Sequence, residues 1–265
     1  MKRSLIVLMG LDGSGKSTQA QLLANWLREQ GINADVVWMR GESYVTMPLL
    51  KVAKFFLRAP KGKKRGDAGT GDPQASGGAE TQAAYAKYVA SKRSVFKYAF
   101  VREIWRRLVL LDLFITFRVA FARLGRGVKV VILDRYVYDS LIDIDSSFGA
   151  GGAELKRLLR SWSVGVFPRP DMVVLFEISP AEAMRRKDDI PSVEYLQERH
   201  ALYGVAAREV RAAVIDASRP IDTIRNDLIR AVSALGVVDR AGPAGRHRSA
   251  SAAPGKAGGP REEAR

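Results

Sequence analysis

Residues 10 to 17 read Gly-Leu-Asp-Gly-Ser-Gly-Lys-Ser, and these types at this spacing suit the gripping of a chain of phosphates. In Gly10-x-x-x-x-Gly15-Lys16-Ser17, the Walker A spacing, each position has a physical job. Gly10, Gly13 and Gly15 let the backbone turn its amides toward phosphate oxygens, with Asp12, Ser14 and Thr18 on the same arc. Lys16 sets a point charge against the β and γ phosphates, and the Ser17 hydroxyl is the usual magnesium ligand. The alternative is a plain glycine-rich turn. The flanks speak against it: the apolar run Leu5 to Met9 precedes the loop, and Thr18 to Gln30 carries Leu22, Leu23, Trp26 and Leu27 at helical spacing before Gly31.

A second cluster follows the run Val128 to Leu133, where the chain reads Asp134-Arg135-Tyr136-Val137-Tyr138-Asp139-Ser140. An acid at the carboxyl end of a buried strand is where a phosphate-loop protein holds magnesium or its water, so Asp134 is the natural partner of Ser17. Arg135 is a planar fork suited to a further phosphate, which points to a second phosphate-bearing ligand facing the first. An ordinary strand-end ion pair is the competing reading. A third cluster, Arg185, Arg186 and Lys187, follows another β-rich run. Positions 11 to 14 contain no arginine, so positive charge on a transferring phosphoryl group has to come from elsewhere, and these residues could supply it from a closing lid. A solvated basic helix face is the alternative.

The elements that must position these residues alternate short β-rich runs with longer helical ones, the signature of a parallel sheet covered on both faces. Strands are expected at Leu5 to Met9, Ala34 to Trp38, Val128 to Leu133, Met172 to Ile178 and Ala213 to Ile215. Helices are expected at Thr18 to Gln30, near Val45 to Leu57, within Thr81 to Leu124, near Glu154 to Ser161, and at Ala181 to Lys187, Val193 to Arg211 and Ile221 to Leu235. The fold class is therefore α/β, a five-stranded parallel sheet with helices on both faces. Ligands gather at the carboxyl ends of such strands, which directs attention to Asp12, Arg40, Glu42, Asp134, Arg135 and Glu177.

Composition narrows the rest. The 265 residues include no cysteine and two histidines, which removes disulfides, thiolate metal sites and histidine metal clusters and is compatible with a cytoplasmic location. The apolar start is too short for a signal peptide, and arginines interrupt Val95 to Leu124 too often for a membrane span. A net charge of +15 raises nucleic acid or an anionic membrane as partners. Lys51, Lys54, Arg58, Lys61, Lys63, Lys64 and Arg65 run with no acid among them into an expected disordered insertion at 61–80, and a further basic excess lies in an expected disordered basic tail at 239–265; both segments are poor in large apolar residues, and nucleic-acid binding is not expected. The remaining 1–238 reads as one domain.

These motifs resemble those of the thymidylate kinases, within the phosphate-loop nucleoside monophosphate kinases. The resemblance spans most of Met1 to about Leu235 and rests on GLDGSGKSTQ, DRYVYDS, PDMVVLFEISPAEAMRRKDD with VEYLQERHALY, and IDASRPIDTIRNDLIRAV. It implies a phosphate-loop nucleotide-kinase fold over 1–238 with a small helical lid at 180–195, and transfer of the γ-phosphate of ATP, with Mg²⁺, to a nucleoside monophosphate, dTMP first, and it leaves a homodimer open. It places Asp12 near the acceptor sugar and suggests Arg40, Glu42, Arg135 and Tyr136 on the acceptor side. Phe114 and Arg118 match the family's base-stacking pair, core packing being an equal reading of Phe114. Tyr203 reads as packing. The turn after the second expected strand departs from the family's pattern, keeping Arg40 and Glu42 alone as counterparts. A same-fold kinase of another small acceptor, or a catalytically silent nucleotide-binding regulatory protein, are the competing readings.

Overall fold

A computed structural model describes residues 3–39, 99–148, 151–187, 190 and 192–236. Among them, β1 (Ser4–Gly10), β2 (Ala34–Trp38), β3 (Val130–Asp134), β4 (Met172–Glu177) and β5 (Ala213–Asp216) form one sheet in the order β2-β3-β1-β4-β5 with every pairing parallel. The sequence dictates which strands are central. β1 and β3 are almost unbroken apolar runs, and Ile6 to Met9 and Val130 to Leu133 are fully buried, whereas the edge strands β2 and β5 carry half-exposed residues.

The helices are α1 (Lys16–Glu29), α2 (Ala99–Arg123), α3 (Val137–Phe148), α4 (Ala153–Leu159), α5 (Trp162–Gly165), α6 (Pro180–Arg186), α7 (Val193–Val210) and α8 (Ile221–Ser233). On one face α1 packs on the strands and on α8; on the other, α3 and α7 pack on β1, with α7 also against β4. Helix α1 buries Lys16, Gln19, Ala20, Leu23, Ala24 and Leu27, one stripe at 3.6-residue periodicity. It ends where Gly31 turns left-handed, and the Ile32 amide closes back on the Leu27 carbonyl at 2.9 Å. Ser179 caps α6 with Pro180 at its first position, and Ser192 caps α7.

Strand and helix positions agree with the sequence reading apart from end residues, the expected helix near Val45 to Leu57 and the segments 61–80 and 239–265 lying outside the described residues. Helix α3 is an addition. It is not among the expected helices, and its acids are used inside the fold: Asp139 accepts from the Tyr136 amide at 3.0 Å, Asp143 pairs with Arg199 of α7 at 2.9 Å, and Asp145 accepts from the amides of Gly152 and Leu155. Along β1 the chain order reverses, β3 lying to one side and β4 to the other, so the carboxyl ends of these strands frame a crevice for ligands.

Asp145 is fully buried and its two oxygens cap the start of α4. Replacing it with Ala strands two amide donors, and the expected cost is about 2–3 kcal/mol in denaturant unfolding. Nucleotide affinity should be unchanged. A loss below about 1 kcal/mol would mean that water takes over both amides.

Candidate active site

The turn after β1 carries the phosphate loop. Gly13 lies so close to the next layer that a Cβ there would stand 2.6 Å from the Ala183 carbonyl of α6, which presses the loop against the base of the lid helix. Gly15 is left-handed at φ 80°, and nothing stands within 4 Å of where its Cβ would be, so the space over the loop stays open for a ligand. Lys16 is buried and its ammonium donates to the Leu11 carbonyl and to Ser14 Oγ. The start of α1, with its amides and the positive end of its dipole, points at the same space.

Register brings Asp134 beside β1, opposite Leu8 and next to Trp38 of β2. Ser17 Oγ donates to Asp134 Oδ2, and Asp134 Oδ1 is buried without a hydrogen-bond partner. A hydroxyl and a carboxylate with a spare buried oxygen fit Mg²⁺ held partly by substrate phosphates and water. No group of three carboxylates or imidazoles that could hold a metal unaided occurs among the described residues.

Arg135 follows at once with a left-handed backbone, φ 74°, which turns its side chain back into the cleft. Its guanidinium pairs with Asp12 of the loop and faces Asp139 Oδ1 at 3.8 Å. Burial opposes the charge, but the carboxylates of Asp139 and Asp12 outweigh it and hold Arg135 above its ordinary value, so it remains a cation. Burial pushes the Asp139 carboxyl up, against the pull of Arg135 and of the Tyr203 hydroxyl that donates to it at 2.7 Å. Tyr203 is itself held well above its ordinary value, by burial and then by Asp139, and stays a donor.

The loop, Trp38, Asp134, Arg135, Arg186 and Lys187 enclose a cleft of about 470 Å³. A neighbouring cleft of about 600 Å³ lies between the loop and the β5 to α8 turn, lined by Thr18, Gln19, Ser218, Arg219 and Ile221. Arg186 lines both, bonding Glu182, the Ala217 carbonyl at 2.8 Å and the Ser218 carbonyl at 3.2 Å. Arg185 is 77% exposed, pairs with Glu182 and lines neither cleft. The two lid arginines thus occupy different places.

The structure brings Asp12, Gly13, Gly15, Lys16, Ser17, Thr18, Asp134, Arg135 and Arg186 together around one cleft, with Gly10 and Ser14 supporting the loop from behind. It does not bring Phe114, Arg118 or Tyr136 there. Phe114 meets Phe167 edge-on at 6.0 Å, as its packing reading requires, and Arg118 is exposed. Tyr136 is buried in the aromatic cluster of Phe117, Tyr138 and Phe167, and its hydroxyl donates to the Pro168 carbonyl at 2.6 Å. Arg40 and Glu42 lie outside the described residues. Asp139, Tyr203 and Trp38 were not singled out for the site, although Asp139 stands one helical turn after Arg135 and Trp38 ends a strand.

Lys16 is lowered to about 8, first by burial and then by Arg135, while Asp12, Asp139 and Asp134 pull it back. A lysine with a folded-state value below its unfolded value of 10.5 destabilises the fold while both states are protonated. The penalty is therefore complete below about pH 8 and fades as pH rises toward 10.5. Without nucleotide, Lys16→Met should melt above the parent at neutral pH, with the difference closing as pH rises toward 10.5. Scanning calorimetry across this range checks it, and a variant melting below the parent at neutral pH would mean that the ammonium is net stabilising.

No family model matches the chain. Among curated proteins it is similar to the probable thymidylate kinase of Pyrococcus abyssi (strain GE5 / Orsay), 30% identical over 186 residues that cover 70% of each chain. It is also similar to the probable thymidylate kinase of Thermococcus onnurineus (strain NA1), 27% identical over 235 residues, 86% of this chain and 96% of the relative. The thymidylate kinase of Prochlorococcus marinus (strain MIT 9312) is 26% identical over 242 residues, 86% and 94% of the two chains. With the phosphate loop, the aspartate-arginine turn and the lid helix in one parallel-sheet frame, the chain belongs to the thymidylate kinase family.

Proposed function

We propose that this chain transfers the γ-phosphate of ATP to a nucleoside monophosphate, with dTMP giving dTDP as the first assignment. The observation that carries the reading is that one cleft holds two separate grips suited to phosphate, Lys16 with the loop amides and the Arg135 fork on Asp12. Similarity to proteins named thymidylate kinase over nearly their full length supports dTMP as the acceptor.

Phosphoryl transfer asks the protein for positioning and charge neutralisation. An oxygen of the acceptor phosphate attacks the γ-phosphorus in line, and the bond from that phosphorus to the bridging β,γ oxygen breaks. Arg135 orients the attacking phosphate, and Asp12 holds the fork in place. Lys16 exchanges its bonds to Leu11 and Ser14 for the β and γ oxygens. Ser17 and Asp134 would hold Mg²⁺, which when bound supplies charge neutralisation between the β and γ phosphates. In this reading the cleft beside Thr18 and Ile221 takes the donor's base side, and Arg186, which lines both clefts, is the arginine that neutralises the transferring group. Arg40 and Glu42 belong to the acceptor side in this reading, and the chain acts as a cytoplasmic enzyme.

Coupled ATP turnover against a panel of nucleoside monophosphates should give the highest kcat/KM with dTMP. Turnover with a different acceptor class and none with monophosphates would overturn the assignment. Asp134→Ala should abolish transfer while unfolding stays cooperative.

The lid arginines should separate in kinetics. Arg186→Ala is expected to lower kcat by about a hundredfold with a much smaller change in ATP affinity, and Arg185→Ala to lower it by less than about tenfold. Equal losses in the two variants would show that both reach the phosphoryl group.

A further inference from the structure

The Arg135 fork is useful only if it points at Asp12 and the cleft, and the chain surrounds it with a second carboxylate that competes for it. Asp139 is buried, one turn along α3, with Oδ1 3.8 Å from Arg135 Nη1. Two contacts hold this carboxylate in place. Oδ2 accepts the Tyr136 amide at 3.0 Å, the reach-back of a capping acid at the start of α3, and Oδ1 accepts the Tyr203 hydroxyl at 2.7 Å. Tyr203 is 4% exposed and comes from α7, which is itself tied to α3 by Arg199 on Asp143 and Ser146. The reaction proposed above gives Asp139 and Tyr203 nothing to do, yet placing a carboxylate and a phenol inside the fold costs desolvation that packing alone does not require.

We infer that Tyr203 and Asp139 are a positioning pair that holds the Arg135 guanidinium out toward Asp12 and thereby sets the affinity for the acceptor phosphate. The tyrosine hydroxyl satisfies the carboxylate oxygen that faces Arg135. Without it the guanidinium is the strongest donor left to that oxygen, and the fork is drawn inward, away from Asp12 and the cleft. Donor binding relies on the loop, Lys16 and Ser17, none of which bonds Tyr203, so the effect falls on one substrate only.

The inference rests on the kinase reading, and steady-state kinetics can separate the two. Tyr203→Phe keeps the ring and removes the hydroxyl. It should raise the KM for dTMP by about tenfold, with kcat and ATP affinity held within about twofold. In an Arg135→Ala background the same substitution should leave the acceptor KM where Arg135→Ala alone puts it, because the effect acts through that fork. Asp139→Asn removes the charge that competes for the fork, so it should not raise the acceptor KM by itself, and added to Tyr203→Phe it should cancel most of the rise. An unchanged acceptor KM in Tyr203→Phe, or an equal rise with and without Arg135, overturns the inference while the kinase reading stands. A fall in ATP affinity that matches the acceptor effect overturns it too, since it marks a general loosening. A parent enzyme that phosphorylates no nucleoside monophosphate overturns the kinase reading itself.

Discussion

The ion pair between Arg135 and Asp12 is the contact on which the site is built. It joins the turns after two neighbouring strands, β1 and β3, at the point where the phosphate loop must stay open on its other side. A guanidinium this buried is tolerable only when its charge is matched, and the left-handed backbone that delivers it costs about 1–2 kcal/mol for a residue with a Cβ. Fold stability alone would not favour this arrangement. An apolar residue in an ordinary conformation would close the strand end at lower cost, so the arrangement makes sense as preorganisation for an anionic partner.

Around that pair lie two cations, Lys16 and Arg135, and three carboxylates, Asp12, Asp134 and Asp139. With all five ionised the cluster is one charge negative. Arg186 and Lys187 on the same cleft turn its balance to one positive, a field suited to an anionic ligand. In the proposed reaction Ser17 and the buried, unpartnered Asp134 oxygen would add a divalent cation to that field.

Much of this was legible before any coordinates. The central strands announce themselves as apolar runs, the loop by its glycine spacing, and the capped helices by Ser179 and Ser192 with Pro180 behind the first. What escaped has one physical cause: polar residues whose partners are distant in sequence. Helix α3 is missing from the expected elements because Asp139, Asp143 and Asp145 give no sign that they will be used by Tyr203, Arg199 and the start of α4. Tyr203 reads as packing for the same reason, its hydroxyl partner standing 64 residues away. Phe114 and Arg118 fall on the long apolar helix α2, where Phe114 packs edge-on against Phe167 and Arg118 is exposed. Arg185 and Arg186 are adjacent and chemically identical in sequence, and only the carbonyls of the β5 to α8 turn distinguish them.

The close approach of Gly13 to Ala183 bears on where an enzyme of this kind can keep its catalytic charge. Each of the four variable loop positions is already committed: Leu11 is buried, Asp12 holds Arg135, a side chain at 13 would collide with the lid helix backbone, and Ser14 is buried against Lys16. An arginine introduced at any of them would have to displace a core contact, meet Arg135 head-on, or push α6 away from the loop. In this chain the loop is therefore closed to innovation, and the evolutionary freedom to strengthen or retune phosphoryl transfer lies in the lid and in the turn that Arg186 leans on.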